Sequence, residues 1–66
     1  MKGTIKRLVA EKNFGFIGPE DGSQDIFFHA TGLQGVEFRE LNVGDVVTFE
    51  VEQSEKGPRA AKVARG

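Results

Sequence analysis

Cysteine is absent, so neither a disulfide nor a thiolate metal site supports the fold. His29 is the single histidine, and no metal site is expected. No apolar run approaches the ~20 residues that span a bilayer. The N-terminal residues lack a basic-then-apolar leader pattern. These absences lead us to expect a soluble, cytoplasmic protein with no membrane association. Catalytic patterns are missing as well. Ser23 and Ser54 fall in expected turns, no Gly-x-Ser-x-Gly elbow occurs, and the nine glycines form no phosphate-binding loop. Neither enzymatic activity nor a cofactor is therefore expected. A chain of 66 residues holds one domain at most, spanning 1–66. Its core contributes a net stability of ~3–5 kcal/mol.

The net charge is −1, but the charges are segregated. Residues 1–12 carry Lys2, Lys6, Arg7 and Lys12 against Glu11 alone. Residues 13–55 carry nine acids against Arg39 alone. Residues 56–66 carry Lys56, Arg59, Lys62 and Arg65 and no acid. A fold that brings the two ends together would set a basic face on an acidic body. Lys2 and Arg65 are expected to be solvated ends.

Glycines and prolines punctuate short apolar runs, which points to several short strands and hence a sandwich or barrel. Strands are expected at Thr4–Val9, Lys12–Gly18, Asp25–His29, Val46–Glu52 and Arg59–Ala64. Loops are expected at Gly18–Ser23 and at Ser54–Pro58. Between the third and fourth strands lie some sixteen residues, Ala30–Asp45, with room for a short helical turn near Ala30–Leu33. A connection that long in so small a domain usually carries function or local structure.

Neighbouring residues of a strand point to opposite sides. Val47, Phe49 and Val51 therefore share one side, opposite Val46, Thr48, Glu50 and Glu52, and face the core. In the third strand the side with His29 is the outer one, because a buried imidazole needs partners. Phe27 then faces out, with Ile26 and Phe28 inside. In the second strand, Gly15 and Ile17 inward leave Phe14 and Phe16 outward. The expected core is Ile5, Ile17, Ile26, Phe28, Val47, Phe49, Val51 and Val63, with Leu33 and Leu41 closing an end. Period alone also permits the opposite assignment, with Phe14 and Phe16 inside.

With the rings outward, Phe14, Phe16, Phe27 and His29 make a cluster of flat surfaces on two strands, and Lys6, Arg7 and Lys12 lie beside it. A small domain rarely exposes such a patch without a use for it. Rings flanked by cations are the chemistry of single-strand binding. Each stacked base contributes about 1–3 kcal/mol and the cations follow the phosphates. Arg59 joins Lys6, Arg7 and Lys12 as an expected phosphate contact.

Several segments then resemble one family. Lys12-Asn13-Phe14-Gly15-Phe16-Ile17 resembles the first ribonucleoprotein motif of cold-shock domains, and Asp25-Ile26-Phe27-Phe28-His29 resembles the second. Gly35–Leu41 is similar to the family's loop ending in Phe and Leu. Val43–Phe49 and Lys56–Val63 are similar to its fourth strand and closing hairpin. The five segments follow in order across essentially the whole chain. The resemblance implies an all-β fold, a five-stranded antiparallel barrel of the OB type. It also implies binding of single-stranded RNA and DNA, often pyrimidine-rich, and a chaperone role in which occupied strands cannot refold. By position it implies stacking by Phe14, Phe16, Phe27, His29 and Phe38, and basic contacts from Lys6 and Lys12.

The departures lie in the same places. Arg7 stands where the family usually has Trp, Leu8 and Ala30 where it has Phe, and Asn13 where it has Gly. A guanidinium plane stacks on bases and attracts phosphate, so Arg7 replaces part of what is lost. Asn tolerates a left-handed backbone better than most residues, so the turn at position 13 survives. Weaker affinity and steeper salt dependence than in a typical member are expected.

Two readings stay open for Phe38, a base contact or packing over the barrel end. His29 also reads as an ordinary surface histidine. For the whole domain the competing function is a protein-interaction barrel that docks a peptide on the same rings, since one fold hosts many uses. An RNA-recognition motif of the α/β kind is excluded by the lack of an amphipathic helix. A monomer is the simplest assembly.

Overall fold

The computed structural model describes residues 1–22, 24–55 and 57–66. Ser23 of the expected loop, and Lys56 of the expected turn and C-terminal basic group, lie outside the described residues. Five strands form: β1 (Lys2–Val9), β2 (Phe14–Pro19), β3 (Ile26–His29), β4 (Val46–Ser54) and β5 (Gly57–Arg65). They close into a barrel in the order β1-β2-β3-β5-β4. Four seams are antiparallel, and the fifth, β3 against β5, is parallel. Five strands in a closed ring cannot alternate direction throughout, so one seam has to be parallel. Among the described residues, no helix is long and apolar enough to cross a membrane.

β1, β4 and β5 run longer than punctuation alone suggests, while β3 starts one residue later than expected, at Ile26. Pro19 still pairs with Gly3, and Gly57 and Pro58 open β5 opposite Ser54 and Gln53. Proline is tolerated at a strand end because only a terminal ladder donor is lost. At its other end β2 starts later than expected, because Ala10–Lys12 form a 3₁₀ turn capped by Asn13 in the left-handed region, at φ 57° and ψ 40°. The left-handed backbone expected at Asn13 is therefore present.

Two bulges set which residues face out. In β1, Ile5 pairs with Ile17 and Arg7 with Phe16, leaving Lys6 as an extra residue. The insertion breaks the period of two, so Lys6 and Arg7 are both exposed although Ile5 is fully buried. In β5, Glu50 pairs with Ala61 but Thr48 with Ala64, so the insertion lies on β5. Lys62 takes the left-handed conformation there, φ 51°. The bulge lets Ala60 and Val63, three apart, both point inward.

The core holds Ile5, Ile17, Ile26, Phe28, Leu41, Val47, Phe49, Ala60 and Val63. Leu8, Leu33, Val36 and Phe38 pack against it from the rim. Leu33 and Leu41 close the barrel from the long connection, as expected. That connection contains 3₁₀ turns at Ala30–Gly32 and Phe38–Glu40. Val51 does not join the core. It shares the parity of Val47 and Phe49 but is 39% exposed. It lies opposite Ala60, three residues before the hairpin end at Ser54, and is only partly covered there.

Candidate nucleic-acid interface

The pairing of β2 with β3 fixes the site. Phe14 lies opposite His29, Gly15 opposite Phe28, Phe16 opposite Phe27 and Ile17 opposite Ile26. Opposite residues share a face. Because Gly15, Ile17, Ile26 and Phe28 are all buried, the other four side chains point away from the core and are partly exposed. The alternative with Phe14 and Phe16 as core is thereby corrected. Gly15 lets the layers close, since a Cβ there would sit 2.5 Å from the Arg7 carbonyl oxygen and 2.9 Å from Cε1 of Phe28. The small residue between the two phenylalanines thus makes room for the core ring beneath them.

The three outward rings form a contiguous platform. Ring centroids are 5.3 Å apart for Phe14 and Phe27, 5.8 Å for Phe14 and Phe16, and 6.2 Å for Phe16 and Phe27. The first pair is tilted and the other two meet edge to face, an arrangement favoured by the ring quadrupoles. The rings brace one another and keep outer surface free. His29 extends the platform along β3. Its Nδ1 accepts from the Thr31 backbone N–H at 3.2 Å, which caps the Ala30–Gly32 turn. The same Nδ1 lies 3.2 Å from the Thr31 hydroxyl.

Cations flank the platform on both sides. Arg7 is in register with Phe16, and Arg59 with Phe27. One row therefore runs Arg7, Phe16, Phe27, Arg59 across four strands. Lys6 lies over Gly18, where a Cβ would meet its Cε at 2.6 Å. Lys12 is exposed in the turn before β2. The two terminal segments do not pair with each other, because β1 and β5 are separated by β4 on one side and by β2 and β3 on the other. The basic ends thus border the aromatic strands instead of merging into one face.

The two borders differ. Among the described residues, Lys6, Arg7 and Lys12 make no ion pair. Arg59 pairs with Glu52 at 3.3 Å, Lys62 with Glu50 at 3.6 Å and Arg65 with Asp45 at 3.7 Å. Arg65 also donates to the Glu40 carbonyl at 3.3 Å, so it is anchored, unlike the solvated end expected for it. Glu50 and Glu52 were not picked out from the sequence. The hairpin carried the signal, because Glu52 and Arg59 lie equal numbers of residues back from the paired Ser54 and Gly57.

Phe38 stands apart from the three rings. Its turn is fixed by a capping box between Glu37 and Glu40. Its ring lies 6.2 Å from that of Phe28, over the barrel end. The partly exposed remainder borders a groove with Leu8, Ala10 and Asn13. Among the described residues, no group of three or more His, Cys, Asp or Glu could hold a metal.

A family model described as 'Cold-shock' DNA-binding domain matches residues 1–65. The chain is 56% identical over 62 residues to "Probable cold shock protein A" of Mycolicibacterium smegmatis, covering 94% of this chain and 92% of that protein. It is 51% identical over 63 residues to "Cold shock-like protein CspG" of Escherichia coli K12, covering 96% and 90%. It is 46% identical over 63 residues to "Cold shock-like protein CspB" of Yersinia pestis, again covering 96% and 90%.

Proposed function

Since the chain belongs to the 'Cold-shock' DNA-binding domain family, whose members bind nucleic acid and are not enzymes, we propose that it holds single-stranded RNA or DNA by stacking bases on Phe14, Phe16, Phe27 and His29. Lys6, Arg7, Lys12 and Arg59 follow the phosphates. Phe38 offers the face turned from Phe28 as a terminal platform at the groove. A strand held this way has its bases occupied and cannot refold into hairpins, which is the action of an RNA chaperone. The protein works as a monomer.

One observation carries this reading. Three phenylalanine rings within 6.2 Å of one another lie on the outer face, bordered in register by an arginine at each end. Stacking of about 1–3 kcal/mol per base needs that exposed π surface. A duplex hides its base faces and gains only the charge contribution. Arg7 in place of an indole, and Ala30 in place of a phenyl ring, shorten the track and shift weight onto charge.

The test is anisotropy of labelled oligo-T and oligo-U strands against a matched duplex, over a salt series. The expected result is single-strand binding at tens of micromolar or better in low salt, with a logarithmic slope of about −0.7 per phosphate neutralised. Duplex binding is weaker. Absence of single-strand binding under these conditions removes the proposal. Tight peptide binding that ignores salt would point to the protein-interaction barrel instead.

A further inference from the structure

We propose that Glu52 weakens the hold on the phosphate at the β5 border of the platform, by competing with it for Arg59. This rests on the single-strand reading above and deepens it. Arg7 and Arg59 occupy equivalent ends of the same row, yet they are not equally available. Arg7 is exposed and unpaired among the described residues. Arg59 donates from Nη2 to Oε2 of Glu52 at 3.3 Å. The hairpin register places Glu52 directly opposite Arg59, so the carboxylate is built into the site.

The position of the pair matters as much as its charge. Two hollows border the platform on the β5 side. Phe27, Ser54, Glu55, Pro58 and Arg59 line one, and His29, Glu52 and Arg59 belong to the other. Arg59 is common to both. A strand leaving the Phe27 ring toward β5 therefore passes over the pair, where its phosphate meets a carboxylate as well as a guanidinium. Beyond it, Glu50 holds Lys62 in the same way at 3.6 Å. Phosphates beyond the β3–β5 seam thus compete with carboxylates for the cations there.

Both partners are about half exposed, Arg59 at 56% and Glu52 at 46% of side-chain area. An exposed pair of this kind is weak, so it exchanges readily. Glu52 consequently tunes binding and does not block it.

The experiment is a double-mutant cycle with Glu52→Gln and Arg59→Gln, read by anisotropy of labelled oligo-T over a salt series. Circular dichroism melts confirm that each variant is folded. E52Q is expected to tighten binding about twofold to fivefold at low salt, the range set by an exposed pair. Its salt slope steepens by up to about 0.7, one further phosphate. In the R59Q background the same substitution leaves affinity unchanged. Equal tightening in both backgrounds would reveal a general charge effect and overturn the proposal. So would unchanged or weaker binding by E52Q. Failure of the wild-type protein to bind oligo-T would remove the single-strand reading and the proposal with it. Wild-type binding with no E52Q effect removes the proposal alone.

Discussion

Strands β1 and β5 both carry cations to the edge of the aromatic platform, and they handle them in opposite ways. Lys6 and Arg7 stand next to each other on the outside of β1 because a bulge turns both outward, and neither has an ion-pair partner among the described residues. Arg59, Lys62 and Arg65 are spread along β5, and each meets an acid on β4 or at the end of the long connection. A protein with net charge −1 therefore presents unpaired cations on the β1 border and ion-paired ones on the β5 border. The number of positive charges says little about how many remain available to a polyanion. The difference arises from pairing, since Arg7 lies opposite Phe16 and Lys6 is the bulged residue with no register partner. The Lys6 stem lies over Gly18 near the Asp25 carboxylate, without an ion pair to it among the described residues. The hairpin, by contrast, aligns β5 with Glu50 and Glu52.

The largest expected effect comes from removing the free set. Lys6→Gln, Arg7→Gln and Lys12→Gln together should weaken oligonucleotide binding on the order of 100-fold at about 50 mM salt, and reduce the salt slope by about 2. Anisotropy over a salt series measures both. The matching change on the other side, Lys62→Gln with Arg65→Gln, should alter affinity by no more than about twofold, because those charges are already screened by their partners. Equal losses from the two sets would break the comparison.

Smaller effects probe the backbone beneath the charges. Asn13→Ala, at the turn that delivers Lys12 to the β2 edge, should destabilise the domain by about 1 kcal/mol, since alanine resists the left-handed region. Urea titration reads the loss. Lys62→Gly should raise stability by about 0.5 kcal/mol at the β5 bulge, where strain relief exceeds the added freedom of the unfolded chain. It should leave binding intact. Val51→Thr is the smallest, within about 0.5 kcal/mol, because the side chain is already 39% exposed.

Much of this was legible in the sequence. Alternating apolar residues between glycine and proline turns placed five strands, and the lone histidine identified the outer side of β3. That put Phe27 outside, as found, whereas the side of Phe14 and Phe16 stayed open on period alone until the β2–β3 register fixed it. The bulges escaped because a single inserted residue reverses parity without a compositional signal. A strict period of two from buried Ile5 would send Arg7 inward, and the odd spacing of Ala60 and Val63 hid Ala60 from the expected core. Val51 keeps the parity of Val47 and Phe49 yet stays 39% exposed near the hairpin end, which alternation alone does not report. Phe38 stayed ambiguous since its contact with Phe28 depends on how the long connection folds back over the barrel end, which no local pattern encodes. The ion pairs of β5 were readable in principle from the hairpin, once its turn was fixed at Ser54 and Gly57.

The central claim is tested most directly by following the phenylalanine ring resonances by NMR as a single-stranded oligonucleotide is added. Ring-current shifts are expected at Phe14, Phe16 and Phe27, with Phe28 and Phe49 nearly still. Binding that leaves those three rings unmoved while shifting only lysine and arginine side chains would contradict the account.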